Sequence, residues 1–257
     1  MQFAKHNKEY IDAGGPVRYL DGTSLFRPFD MPRKALFVAA AFVIVAVVIG
    51  GIMLHNVLDA VLNAPAREAE SVQKNLARDV SYDLPPLATL MTEDNETIKQ
   101  TFSDAGLTIY DKTNVETNGD GLDLVKLPSD VSEAEAATYY AQGIGKLSAV
   151  DASRLLKGSW TFSVSRNDYT DMRVKFADFS SGSVDAAIQA AIVAEGLEDS
   201  TLGDAGTDEA GNTFQSGTIA VGDTTYTWRI SAIALSSVYN ISGLPDTAVY
   251  VGIRMTP

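Results

Sequence analysis

The side chains that carry most hydrolytic and metal chemistry stop early in this chain. Its two histidines are His6 and His55, and it has no cysteine. From residue 56 onward there is neither. That removes Ser-His-Asp and Cys-His catalysis, thiolate and histidine metal sites, and disulfides from everything beyond that point. Three chemistries survive this filter: Ser–Lys nucleophilic catalysis, a pair of carboxylates, and an oxygen-ligand site for calcium.

Each is thin. Ser71-Val-Gln-Lys74 has the Ser-x-x-Lys spacing, but no Ser-Asp-Asn or Lys-Thr-Gly partner follows, and chance accounts for the match. Paired carboxylates can hydrolyse glycosides, yet with twenty-nine Asp/Glu beyond residue 34 no pair stands out without geometry. In "ETNGDGLDLVKL", Glu116, Asn118 and Asp120 alternate ahead of Gly121, like the front half of a calcium loop. Asp123 then stands where an apolar residue belongs, and Leu127 where a bidentate Glu is needed, so a tight turn is the expectation. The stretch "EDSTLGDAGTDEAGN", Glu198–Asn212, holds five acids and no base and reads as a solvated loop. No catalytic residue, cofactor site or metal site is therefore assigned.

The elements that would position any chemistry begin with an apolar run. Twenty uncharged residues separate Lys34 from His55. At about 1.5 Å per helical residue they match a hydrocarbon core of about 30 Å. The leading segment, 1–34, and the run itself are too long for a cleaved leader, and the nearest Ala-x-Ala, Ala64-Pro65-Ala66, carries a proline. A retained transmembrane helix over 35–56 is the expectation. Arg33 and Lys34 abut the run, whereas no Lys or Arg follows it before Arg67. Positive flanks stay cytoplasmic, so the N-terminus is expected inside and the body outside. The tail 1–34, broken by glycines and prolines, reads as irregular.

Beyond the run, 57–80 is expected as a juxtamembrane helix with Ala69, Val72, Leu76 and Val80 on one stripe, and 81–92, with Pro85-Pro86, as an extended linker. The domain proper is expected over 93–257. Asp94 caps a first helix that carries Ile98 and Phe102 and stops at Gly106. A capping box, Ser132-x-x-Glu135, opens a second, with Tyr140, Ile144 and Leu147 on one face, and Ser183–Glu195 forms a third. A short helix near Asp151–Lys157 lies between. Strands are expected at Leu107–Thr113, Leu122–Leu127, Thr213–Val221, Thr224–Leu235 and Thr247–Met255. The clearest pair is "SWTFSVS" and "DMRVKFA", where Trp160, Phe162 and Val164 alternate with Ser and Thr, and Met172, Val174 and Phe176 with Arg173 and Lys175. Strand pairs this close in sequence are antiparallel. The fold class is α+β: helix plus strand-pair units, a mainly antiparallel sheet, and helices packed on one face.

Two segments, "ETIKQTFSDAGLTIYD" and "VDAAIQAAIVAEGL", resemble the helix-Gly-Leu opening of PASTA domains, which implies peptidoglycan binding by a bitopic bacterial protein. That family's closing Gly-x-x-Val-x-Leu-x-Val strand is missing after the first segment and departs from the pattern after the second. The chain is not placed in the family.

Charge sets the remaining bounds. Residues 1–34 carry six Lys/Arg against four Asp/Glu, and the remainder fourteen against twenty-nine. Such an acidic body is a poor nucleic-acid binder. The expected function is a membrane-anchored, extracytoplasmic, non-catalytic binding or accessory module of a cell-envelope complex, with an envelope protein or a second copy as partner. The alternatives are a single-pass signalling component whose tail docks a cytosolic partner, and a carboxylate-based envelope hydrolase.

Overall fold

The computed structural model describes residues 63–257 and, apart from these, Met53. The tail 1–34, the apolar run and the start of the juxtamembrane segment lie outside the described residues. Among the described residues no helix is long and apolar enough to cross a membrane.

The domain is α+β, built on one eight-stranded sheet. The strands are β1 (Ile109–Asp111), β2 (Leu122–Lys126), β3 (Trp160–Arg166), β4 (Thr170–Asp178), β5 (Thr201–Thr207), β6 (Thr213–Val221), β7 (Thr224–Ala234) and β8 (Val249–Thr256). Their spatial order is β1-β2-β3-β4-β8-β7-β6-β5, and every neighbouring pair is antiparallel.

One face of this sheet carries the main core. Trp160, Phe162, Val164, Met172, Val174 and Phe176 alternate onto it as their spacing predicts, and Trp228, Ile230, Val251 and Ile253 continue it. Helices α3 (Asn95–Asp104) and α7 (Val184–Ala194) close over that face through Ile98, Phe102, Ile188 and Ile192. Both helices end on a left-handed glycine, Gly106 and Gly196. The next leucine's N–H returns to the helix in each case, Leu107 to Phe102 O at 3.1 Å and Leu197 to Ile192 O at 2.9 Å.

The helices are not confined to one face, contrary to the sequence expectation. Val125 and Ala177 point away from their neighbours Leu124 and Phe176 into a second cluster with Leu147, Leu155 and Leu235. Helices α5 (Glu133–Gln142), α6 (Ala149–Leu156) and α8 (Leu235–Val238) cover it. A strand covered on both sides buries consecutive residues, so "LDLVK" and "KFAD" lose their clean alternation there. The capping box on α5 is formed: Glu135 N–H donates to Ser132 Oγ at 3.3 Å, and Ser132 N–H to Glu135 Oε2 at 3.0 Å. That helix stops at Gly143, so Ile144 and Leu147 join Tyr140 in the second cluster from a separate 3₁₀ turn and its exit.

Three further expectations change. The segment 81–92 is part of the fold and not a linker. Leu87 and Leu90, in the short helix α2 (Leu87–Leu90), and Met91 are buried in the main core. Trp160 Nε1–H donates to Tyr82 O at 2.7 Å, and Lys126 Nζ donates to Ser81 O at 2.7 Å and Gly158 O at 2.9 Å. The described part of the juxtamembrane helix, α1, ends at residue 76, and Val80 instead packs against Gly158 in extended chain. Asn75 Nδ2 ties α1 to α6 through Val150 O and Ser153 Oγ, both at 3.0 Å. The stretch Glu198–Asn212 is not a loop throughout, because residues 201–207 of it form the edge strand β5.

Candidate functional site

The second face of the sheet is only half covered. Under α5, α6 and α8 its rows are apolar, as in Ala177 on β4 opposite Tyr250 on β8. One step along, the row Thr161–Lys175–Gly252–Ser231 leaves that cover. The step after it is a single cross-strand row over six strands: Asp123, Ser163, Arg173, Arg254, Arg229, Ser216. Three arginines thus stand side by side on β4, β8 and β7.

Like charges directly opposite one another repel, and two aspartates offset the row. Asp171 lies two residues before Arg173 on the same face of β4. Its carboxylate accepts from Arg173 Nε at 3.1 Å and Nη2 at 2.6 Å, and from Arg254 Nε at 3.0 Å and Nη2 at 2.9 Å. Burial would push this carboxyl up, but the two guanidinium groups outweigh burial and hold it below the usual carboxylate range. The Asp171 side chain is 9% exposed, against 46% for Arg173 and 42% for Arg254, so the acid is sunk and the cations remain presented to solvent.

Arg229 is held differently. Its guanidinium lies 3.7 Å from the centre of the Phe214 ring, and Nη2 donates to Asp208 Oδ2 at 3.0 Å. Asp208 is fixed in the β5–β6 turn by Asn212, whose side-chain and backbone N–H groups donate to it at 3.0 Å. Those bonds first, and Arg229 after them, keep its carboxyl low. Lys175 makes no ion pair with any described residue. Lys175, Asp208 and the three arginines border a hollow of about 570 Å³ that Gly252 also lines. A second hollow, about 510 Å³, adjoins it across Arg173 and Arg254 and reaches Ser165 and Asp168.

The arrangement suits recognition of anionic groups more than proton transfer. Guanidinium forks match carboxylate and phosphate oxygens two at a time. Both aspartates are held ionised and engaged, which makes them poor general bases near neutral pH.

The residues singled out by sequence end elsewhere. Ser71 and Lys74 share α1, and the Ser71 hydroxyl donates to Arg67 O of its own helix at 2.8 Å. Glu116 and Asn118 lie in a helical turn, α4 (Val115–Asn118), capped by Asn114, and Asp123 is bound by Lys112 Nζ at 2.8 Å. That segment is a turn. Among the described residues no three of His, Cys, Asp and Glu gather as metal ligands would. The five acids of 198–212 are divided between the ends and body of β5, and only Asp208 reaches the arginine row.

Sequence reading missed Arg229 and Arg254, and it treated Arg173 and Lys175 only as the wet face of a hairpin. The signal present was a cation at a polar position of β4, β7 and β8 alike, but the register that aligns them is not local. Glu195 was missed as well. It stands at the C-terminal end of α7, and its Oε2 accepts from Leu87 N–H at the start of α2 at 3.2 Å, while Oε1 is buried without a hydrogen-bond partner, and burial pushes its carboxyl up to about 7.

Compared with protein-family models, with curated proteins and with solved structures, the chain gives no match in any of the three.

Proposed function

We propose that the chain is a single-pass membrane protein, N-terminus inside, whose α+β domain lies outside and serves as a non-catalytic binding or accessory module of an envelope complex. The anchor and its orientation rest on the run 35–54 and the Arg33-Lys34 flank. The binding role rests on one observation: the half-open sheet face, where three arginines and Lys175 are gathered on a body that is otherwise strongly acidic. The described residues supply no histidine or cysteine, and Asp171 and Asp208, the two acids that meet the arginine row, are already engaged by it, so recognition is a better use of this surface than turnover.

Two measurements test the reading. Protease added to spheroplasts should digest everything beyond about residue 60 and spare the tail; a soluble species beginning near Arg67 would refute the anchor. A photo-crosslinking residue at Ser231 should yield a discrete adduct in intact cells, and the same residue at Glu116, on the α4 turn, should not.

A further inference from the structure

We infer that the hollow over Gly252 seats a carboxylate side chain from an acidic peptide segment of a partner protein, held between Lys175, Arg229 and Arg254; this rests on the reading of the open face as a binding surface. Gly252 lines the hollow and adds no side chain to it. A Cβ there would crowd Ser231 Oγ at 3.3 Å and touch Lys175 Cγ at 3.9 Å, so the two flanking side chains already close in on this point. Lys175 stands directly opposite Gly252 on β4 and Ser231 directly opposite it on β7. The arginine row borders the hollow one step away. A lysine, a hydroxyl and three guanidinium groups therefore face one depression from three strands.

The local charge is unbalanced in favour of an incoming anion. Asp171 serves Arg173 and Arg254 together, and Asp208 serves Arg229. Lys175 is left with no partner of opposite sign among the described residues, and Glu209 on the rim is not bonded to it. One further carboxylate would give Lys175 a partner and reduce the repulsion along the row. The face already shows how it holds such a group, since both resident acids are gripped by guanidinium nitrogen atoms within about 3 Å.

Other polyanions fit less well. The Phe214 ring is already covered by the Arg229 guanidinium, so it does not serve a stacking base or sugar ring. A nucleic acid would also bring a phosphate per nucleotide to a domain whose acids far outnumber its bases. An acidic peptide brings its carboxylates singly and leaves neutral backbone between them.

The test uses the full chain in detergent micelles and a fluorescein-labelled peptide that alternates Asp with Gly. The Asp peptide should bind at least tenfold tighter than the same peptide with Asn for Asp, and its affinity should fall as salt is raised. Lys175→Met should weaken it at least fivefold with an unchanged melting temperature, and Gly252→Val should also block it if folding is retained. Equal binding of the Asp and Asn peptides, or undiminished binding by Lys175→Met, would overturn the inference. Displacement of the peptide by inorganic phosphate or an oligonucleotide at lower concentration would do the same. So would a Ser231 adduct with twice the mass of the chain, which points to a second copy. A Ser231 adduct to another protein without any affinity for the Asp peptide defeats this inference alone; absence of any Ser231 adduct defeats the module reading beneath it.

Discussion

Arg173 and Arg254 stand directly opposite each other on β4 and β8, and the Asp171 carboxylate bonds to both. Two like charges placed side by side are stable there because one largely buried acid sits between them. The pairing stiffens the centre of the sheet and aims both guanidinium groups outward.

Replacing that acid removes the counter-charge. Asp171→Asn is expected to destabilise the domain by about 1–3 kcal/mol at pH 7, since charge-assisted hydrogen bonds are lost from a mostly buried site. The folded-state pKa of Asp171 is depressed, so its contribution is present above the unfolded carboxylate value of about 3.9 and is lost as pH falls through the folded value. Urea titrations of the two proteins should differ at pH 7 and draw together as pH falls below the unfolded carboxylate value of about 3.9. A difference that persists undiminished at low pH would contradict the assignment.

Glu195 has the opposite sign. Its folded pKa is raised to about 7, so the stability linked to its proton is fully present below the unfolded value and is lost as pH rises through about 7. Glu195→Gln keeps the carbonyl acceptor for Leu87 N–H without the buried charge. It is expected to be the more stable protein at pH 8 by about 3 kcal/mol, with that advantage shrinking as pH falls and gone only below the unfolded carboxylate value of about 4.3. Thermal or urea unfolding across this range checks it.

Core faces can be tested by truncation. Phe162 is buried and meets Phe102 edge-on at 5.3 Å, whereas Thr161 points to the half-open face. Phe162→Ala should cost about 3–5 kcal/mol and Thr161→Ala under about 1 kcal/mol. Leu87→Ala, in a segment that sequence alone reads as a linker, should cost about 2–5 kcal/mol. A Leu87→Ala protein as stable as the parent would return residues 81–92 to the role of a spacer.

Gly217 allows β6 to pass over Trp228. A Cβ there would fall 2.5 Å from Trp228 Cζ2 and 2.6 Å from Thr201 O, so neither the ring nor β5 can stay in place. Gly217→Ala should cost about 1–3 kcal/mol by overpacking, and amide exchange should quicken first in β5. The Trp228 Nε1 bond to Ser200 Oγ, 3.1 Å long, should be lost with it.

Much of this fold was legible because its signals are short-range. The Ser132–Glu135 box, the Asp94 cap, the two Gly-Leu stops and the Trp160/Phe162 alternation are each local along the chain, and each is present in the structure. What escaped depends on distant partners. "TLGDAGT" shows no apolar alternation because β5 is exposed on both faces, so only its pairing with β6 defines it. Val125 and Ala177 look like breaks in a pattern until α6 and α8 are placed over them. The Pro85-Pro86 segment looks extended and solvated until Trp160 and Lys126 bind it. The arginine row is the extreme case, since Arg173, Arg229 and Arg254 come from three strands that no local rule aligns.

The order of the sheet also constrains when it can be completed. The last of the eight strands along the chain, β8, lies between β4 and β7, and those two do not touch except through it. Until Val249–Thr256 arrives, strands β1–β4 and β5–β7 are separate half-sheets, each with an inner edge of unpaired N–H and C=O groups. A chain that folds as it is made, from its N-terminus onward, therefore holds two open templates for mispairing until its final strand arrives. Assistance during folding, from a holdase or from rapid delivery of the last segment, would matter more for this topology than for one in which each strand pairs with its predecessor.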